Sequence, residues 1–217
     1  MIKAVLFDLD GTLTNSLKDL ATAVNFAITK NGYKEQPLEK FNMFVGDGML
    51  KMVERAIEPE KVDDDRLLFL KEEFLGYYSE HFADYTTKYD GVDELLFYLK
   101  EKGIKIAVVT NKDTDMAIAL LNKVYGDIFD YVIGKQDGVA AKPAPDGAFM
   151  AMKALGVTAD ECLFLGDSGV DMKTAVNSKA TAVGVTWGFR SREELLLNGA
   201  EYIIDVPSQL HSIIEGK

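Results

Sequence analysis

The chain has 217 residues, of which 47% are hydrophobic and 27% charged, a composition typical of a folded globular protein. Its 24 basic and 35 acidic residues give a net charge of −11, which repels phosphate backbones and argues against nucleic acid as a partner. No apolar stretch is long enough to span a membrane, and the acidic residues near the start argue against a signal peptide. With Cys162 as its one cysteine, the chain has no internal disulfide, and we expect a cytoplasmic protein.

Short apolar runs predict a series of β-strands. They lie at residues 4–9, 104–109, 131–133, 162–165, 181–185 and 202–204. Amphipathic segments separate the later runs. Val92, Leu95 and Leu99 recur at helical spacing, for example, as do Met152 and Leu155. Strands that alternate with helices predict an α/β fold with a parallel sheet covered on both faces.

The interval 11–103 interrupts this alternation because it is far longer than one crossover connection needs. Its pattern predicts helices: an apolar stripe from Leu17 to Ile28, which stops near Gly32, and further helices over 49–57 and 66–78. We therefore predict two domains. Residues 1–13 and 89–217 would form the catalytic core, and residues 14–88 a smaller helical domain inserted after the first strand.

Two local predictions concern the ends of the inserted helices. Ser16 and Asp19 have the spacing of a capping box at the start of the first helix. The acidic run 63–65 is predicted to be a solvated turn.

Polar side chains follow four of the predicted strands, where ligands gather in an open parallel sheet. These residues are Asp8 and Asp10 at the end of the first strand, Thr110 and Asn111 at the end of the second, Lys142 in the loop after the third, and Asp167 and Asp171 after the fourth. Because carboxylates this close repel one another, a cation is expected among them. Oxygen ligands without Cys or His favour Mg²⁺.

The residue types predict a role for each side chain in the metal site. Asp8, Asp10 and Asp167 are the predicted Mg²⁺ ligands, with Asp10 binding through its backbone carbonyl. Asp171, one helical turn beyond Asp167, is predicted to hold Lys142 or the waters on the metal.

This site predicts phosphoryl transfer. Asp8 would attack phosphorus and form an aspartyl-phosphate, while Asp10 would protonate the leaving group and later deprotonate water. Lys142 would offset the negative charge of the phosphoryl group. The Thr110 hydroxyl and the Asn111 backbone N–H would donate to phosphate.

The motifs resemble those of the haloacid-dehalogenase superfamily. They are Asp-Leu-Asp-Gly-Thr-Leu-Thr at 8–14, the strand end at Thr110, Lys142 with its following proline, and Gly-Asp-Ser-x-x-Asp at 166–171. All four occur in order, and the resemblance covers essentially the whole chain. It implies a Rossmann-like core, a mobile helical cap and Mg²⁺-dependent phosphoryl transfer through Asp8. The dehalogenases themselves lack an acid at the position of Asp10, so its presence favours a phosphatase or phosphomutase.

Three further segments, 44–49, 109–112 and 184–189, look like those of phosphoglycolate phosphatases. That resemblance implies a small phosphorylated metabolite as substrate, with 2-phosphoglycolate hydrolysed to glycolate and phosphate. Gly46 and Asp47 form a turn that is predicted to face the substrate from the cap. A carboxylate substrate also needs a cation in this acidic protein, and Lys51, Arg55 and Arg190 are the candidates.

Other functions remain open. Within the superfamily, the alternatives are a β-phosphoglucomutase-like sugar phosphomutase and an inorganic pyrophosphatase. A non-catalytic phospho-receiver module also gathers acids, a threonine and a lysine at one sheet edge, but it is shorter and has no helical insertion. We expect a monomer or homodimer that does not associate with membranes.

Overall fold

The computed structural model describes residues 1–216. Its strands are β1 (Ala4–Phe7), β2 (Thr14–Asn15), β3 (Thr87–Lys88), β4 (Lys105–Asp113), β5 (Tyr131–Lys135), β6 (Cys162–Gly166), β7 (Thr181–Val185) and β8 (Tyr202–Ile204). Its α-helices are α1 (Leu17–Lys30), α2 (Leu38–Phe44), α3 (Met49–Ile57), α4 (Asp64–His81), α5 (Val92–Glu101), α6 (Thr114–Tyr125), α7 (Asp146–Leu155), α8 (Gly169–Ser178), α9 (Arg192–Leu197) and α10 (Leu210–Glu215).

The chain divides into two compact units. The first comprises Met1–Asn15 and Lys88–Lys217, and the second comprises Ser16–Thr87. β2 and β3 are the two short strands at the points where the chain leaves and re-enters the first unit. We call the first the sheet unit and the second the helical unit.

Within the described residues, six strands of the sheet unit form one sheet in the order β5-β4-β1-β6-β7-β8, with parallel pairing throughout. β1 lies between β4 and β6, so its neighbours come from segments far away in the sequence. After β1, the chain adds β4 and β5 on one side of it and then β6, β7 and β8 on the other side. The carboxyl ends of β1, β4 and β6 therefore lie next to each other at a topological switch point. The predicted α/β fold with a parallel sheet is confirmed.

The sheet is buried on both faces. Ala4 and Leu6 of β1 pack in one cluster with side chains of α7 and α8. Val5 and Phe7 alternate with them and are equally buried, as expected of a strand in a covered parallel sheet. Cys162 belongs to the same core, and burial raises the pKa of its thiol to about 12, which makes it a small apolar residue rather than a nucleophile.

β4 extends beyond its predicted end. The strand continues through Asp113, and its pairing with β5 shifts register between Val109 and Asp113. Thr110, Asn111 and Lys112 therefore lie on buried strand backbone and not in a loop, and their side chains are almost inaccessible to solvent.

The helices of the helical unit follow the apolar periodicity. α3 matches the predicted range, and the buried side chains of α1 run along one stripe that includes Leu20, Val24 and Ile28. Residues 63–65 are exposed to solvent, as predicted, but the predicted turn is wrong. Asp63 caps α4 by accepting a hydrogen bond from Arg66 N, and the two acids after it form the first turn of the helix. None of the described helices combines the length and the apolar character that crossing a membrane requires.

The predicted capping box at α1 is also wrong. The Ser16 side chain makes no capping hydrogen bond, and Asp19 is bound to the end of the helical unit instead. Its buried carboxylate accepts hydrogen bonds from the N–H groups of Tyr85 and Thr86, at 2.9 and 2.7 Å, and from the Thr86 hydroxyl at 2.6 Å. Asp19 thus joins the first helix of the unit to its last residues.

We expect Asp19→Ala to lower the free energy of unfolding by about 2–4 kcal/mol, because it removes a buried carboxylate that accepts hydrogen bonds from two backbone N–H groups and one hydroxyl. Asp63→Ala is the matched control, since it removes one exposed helix cap and should cost about 1 kcal/mol. Urea unfolding followed by circular dichroism measures both. Equal costs for the two variants would contradict the role assigned to Asp19.

Candidate active site

The carboxyl end of β1 is the centre of the candidate site. Asp8 directly follows the strand, and its backbone N–H donates to Leu165 O of the neighbouring β6 at 2.9 Å. The chain then turns at Gly11, where φ is +95° and a Cβ atom would collide with the carboxylate of Asp167. Glycine is required there because the turn needs both the left-handed conformation and the close approach.

Lys142 connects two carboxylates of the site. Its Nζ lies 2.7 Å from Asp8 Oδ1 and 2.6 Å from Asp171 Oδ1. All three side chains are buried, the Lys142 side chain being only 4% exposed. The two carboxylates raise the pKa of the Lys142 ammonium against the opposite effect of its burial, so Lys142 is positively charged.

Hydrogen bonds hold Asp171 and Asp167 in place. Ser168 donates to Asp171 Oδ2 from its backbone N–H at 3.0 Å and from its hydroxyl at 2.6 Å. Asp167 accepts from the Thr12 hydroxyl at 3.2 Å and from Phe189 N at 2.8 Å. The two bonds to each carboxylate fix its position.

The segment 187–189 packs against this part of the site. Trp187 Nε1 donates to Thr12 O at 3.0 Å, so the indole holds the turn after β1. At Gly188, a Cβ atom would collide with Asp167, and only glycine lets the segment approach that closely. Thr12, Trp187 and Phe189 therefore support Asp167, a role that the sequence alone did not predict.

Asp8, Asp167 and Asp171 offer oxygens that all lie within 4.8 Å of one another. Fully ionised, the cluster would carry three negative charges against one positive charge on Lys142. Asp8 Oδ1 is buried and, beyond its ion pair with Lys142, accepts no well-directed hydrogen bond from the described residues. A buried, oxygen-only site with excess negative charge and an oxygen still able to accept fits a hard divalent cation such as Mg²⁺.

The protonation equilibria reflect the same imbalance. Burial, and next the charge of Asp171, raise the pKa of Asp8 to about 7 against the opposing effect of Lys142. Burial, and next the charges of Asp171 and Asp8, raise the pKa of Asp167 well above its ordinary value. The arrangement therefore disfavours full ionisation of its carboxylates unless further positive charge is present.

Asn111 positions Lys142. Its side-chain amide donates to Lys142 O at 3.1 Å and accepts from Lys142 N at 2.8 Å, which attaches the lysine's loop to β4. Thr110 Oγ1 accepts from Lys112 N at 3.2 Å, a bond that does not use the hydroxyl hydrogen. That the Thr110 hydroxyl and the Asn111 backbone N–H bind phosphate stays a prediction.

Lys112 is the main residue of the site that sequence reasoning did not single out. Its Nζ lies 3.1 and 3.2 Å from the two carboxylate oxygens of Asp10, and its side chain is only 3% exposed. Asp10 does not belong to the group of three acids whose oxygens all lie within 4.8 Å of one another. Its predicted role as a metal ligand, through the backbone carbonyl, stays a prediction.

The remaining predicted residues have partners of their own. In the helical unit, Asp47 pairs with Arg55, which also donates to a backbone carbonyl of the same turn, and Lys51 pairs with Glu54. In the sheet unit, Arg190 lies 3.5 Å from a carboxylate of the following helix. That Gly46 and Asp47 face a substrate stays a prediction.

The sequence matches the model of the family described as "Haloacid dehalogenase-like hydrolase" over residues 5–185. The chain therefore belongs to the haloacid dehalogenase-like hydrolase family, as the motif resemblance predicted.

The chain is similar to curated phosphoglycolate phosphatases. One from Pectobacterium atrosepticum is 33% identical over 94% of this chain and 88% of the relative. Another, from Mannheimia succiniciproducens, is 33% identical over 98% of each chain. Among solved structures, a protein from Lactobacillus delbrueckii subsp. bulgaricus superposes with a TM-score of 0.91 at 32% identity, over 98% of each chain. The prediction of a phosphoric monoester hydrolase is confirmed.

We expect Asp8→Asn to stabilise the metal-free protein at pH 8. The pKa of Asp8 is raised in the folded state, so ionising it lowers stability as pH rises from about 4 to about 7. The variant should melt about 3–6 °C higher at pH 8 in EDTA, with the difference shrinking towards pH 5. Asp137→Asn, which removes a charge from an exposed position, is the control. A lower melting temperature for Asp8→Asn at pH 8 would contradict the charge imbalance.

Proposed function

We propose that the chain is a Mg²⁺-dependent phosphatase that hydrolyses 2-phosphoglycolate to glycolate and phosphate through an aspartyl-phosphate on Asp8. The observation that carries the proposal is the buried cluster of Asp8, Asp167 and Asp171, with Lys142 between two of its members. The phosphoglycolate phosphatases among the relatives support the choice of substrate.

Asp8, Asp167 and the backbone carbonyl of Asp10 would hold the metal, which supplies positive charge that lets a phosphate anion approach the carboxylates. Lys142 is held against Asp8 by Asp171 and by the bonds of Asn111, so its ammonium is in place before a substrate binds. There it stabilises negative charge that develops on the phosphoryl oxygens.

The proposed reaction has two steps. A carboxylate oxygen of Asp8 bonds to phosphorus as the bond to the ester oxygen breaks, and that oxygen takes a proton from Asp10 to leave as glycolate. Water then attacks phosphorus and gives its proton to the Asp10 carboxylate. The bond between Asp8 and phosphorus breaks, which releases phosphate and restores both acids.

Other residues of the proposal bind the substrate. The Thr110 hydroxyl and the Asn111 backbone N–H lie on β4 beside β1 and are proposed to donate to phosphoryl oxygens. The turn of Gly46 and Asp47 is proposed to contribute to substrate choice from the helical unit, which would serve as the cap of the catalytic core.

Initial rates with Mg²⁺ across a panel of phosphate compounds test this proposal. The panel contains 2-phosphoglycolate, phenyl phosphate, pyrophosphate and β-glucose 1-phosphate. We expect kcat/KM to be at least about tenfold higher for phosphoglycolate, and Asp8→Asn to retain less than about 1% of it. A preference for pyrophosphate, or conversion of the sugar phosphate to an isomer without release of phosphate, would replace this function by one of the alternatives.

A further inference from the structure

The proposed substrate carries two anionic groups, and the site as described accounts for one of them. Lys142 lies between Asp8 and Asp171, where the phosphoryl group reacts. The carboxylate of phosphoglycolate needs a second cation, placed on the side of the leaving group. The leaving group lies next to Asp10 in the proposed reaction, because Asp10 is the proposed proton donor to the ester oxygen.

Lys112 is the buried cation that lies on that side. It is in contact with both carboxylate oxygens of Asp10, at 3.1 and 3.2 Å, while the Asp10 side chain retains more exposure than Lys112 itself, 13% against 3%. β4 fixes the backbone of Lys112, and β1 fixes that of the residues before Asp10. The ammonium therefore has a defined position next to the proton donor.

The spacing of this pair matches the spacing within the substrate. In phosphoglycolate, three bonds separate the ester oxygen from a carboxylate oxygen, a span of about 3 Å. When Asp10 contacts the ester oxygen, a cation about 3 Å from Asp10 can reach hydrogen-bonding distance of the substrate's carboxylate. The cations predicted from the sequence pair with acids other than the proposed proton donor: Lys51 with Glu54, Arg55 with Asp47 and Arg190 with Glu194.

We propose, resting on the function proposed above, that Lys112 binds the carboxylate of the substrate and that this contact releases Asp10 towards the ester oxygen. In the structure, Lys112 contacts both oxygens of Asp10, so this ion pair competes with a hydrogen bond from Asp10 to a leaving group. A substrate carboxylate replaces Asp10 as a partner of the ammonium. Lys112 is then a specificity-determining residue, and a second anionic group on the substrate is required for fast reaction as well as for tight binding.

This exchange predicts a distinct kinetic pattern. A substrate without the second charge leaves Lys112 paired with Asp10. We therefore expect it to react with a lower kcat as well as a higher KM. A lysine that only attracted the anion would change KM alone.

The test compares 2-phosphoglycolate with its neutral carboxamide analogue, which has nearly the same shape. We expect the wild type to prefer the acid, with part of the preference in kcat. Lys112→Met should reduce the ratio of the two kcat/KM values by about 10–100-fold, the range for one charge-assisted hydrogen bond. Lys105→Met changes the same residue type at the opposite, exposed end of β4 and should preserve the ratio.

A second pair of variants covers the case in which Lys112→Met leaves a buried charge on Asp10 and does not fold. Lys112→Met combined with Asp10→Asn removes both charges, and it should show a smaller preference for the acid than Asp10→Asn alone. The proposal is overturned if Lys112 variants keep the preference within about threefold, or if Lys105→Met loses it equally. Loss of phosphoglycolate hydrolysis in the wild type would instead overturn the proposed function.

Discussion

The ion pairs of Lys142 are the interaction on which the rest of the site depends. One buried ammonium lies between Asp8 and Asp171, and Asp167 brings a third carboxylate within 4.8 Å. Burying such a cluster is unfavourable unless each charge is paired, and one lysine offsets only part of it. The excess negative charge favours the binding of a divalent cation, and the positive charge of such a cation would let a phosphoryl group approach. The excess negative charge thus lowers the stability of the fold and at the same time favours the binding of a cation.

The order of the sheet makes this arrangement possible. β1 lies between β4 and β6, so Asp8, directly after β1, follows a strand flanked by the strand that carries Asn111 and by the strand that ends just before Asp167. Around them, the structure uses small, directional contacts: Asn111 fixes the loop of Lys142, and Thr12 and Phe189 fix Asp167. The site is therefore held by contacts between segments that are far apart in the sequence.

The apolar periodicity of the sequence predicted the strands and helices whose bounds depend on nearby residues. The strand Thr181–Val185 and the helix Met49–Ile57 match their predicted bounds, because apolar periodicity determines which residues are buried. Asp19 was misassigned because its acceptor oxygens serve donors 66 and 67 residues away and not its own helix. Lys112 was passed over for the same reason. Nothing around it in the sequence distinguishes a buried lysine paired with Asp10 from a solvated one at a strand end, whereas the carboxylates of the site stood in motifs that indicate their chemistry.

The covalent role of Asp8 is the central claim, and rapid-quench kinetics of Asp10→Asn with 4-nitrophenyl phosphate test it most directly. This substrate needs little protonation of its leaving group, so phosphoryl transfer to Asp8 should proceed, whereas loss of the base that activates water should slow hydrolysis of the intermediate. We expect a burst of 4-nitrophenol that approaches one equivalent of enzyme, with a phosphoryl group found on the peptide that contains Asp8 after acid quench. Linear release without a burst, together with an unmodified Asp8 peptide, would contradict the account.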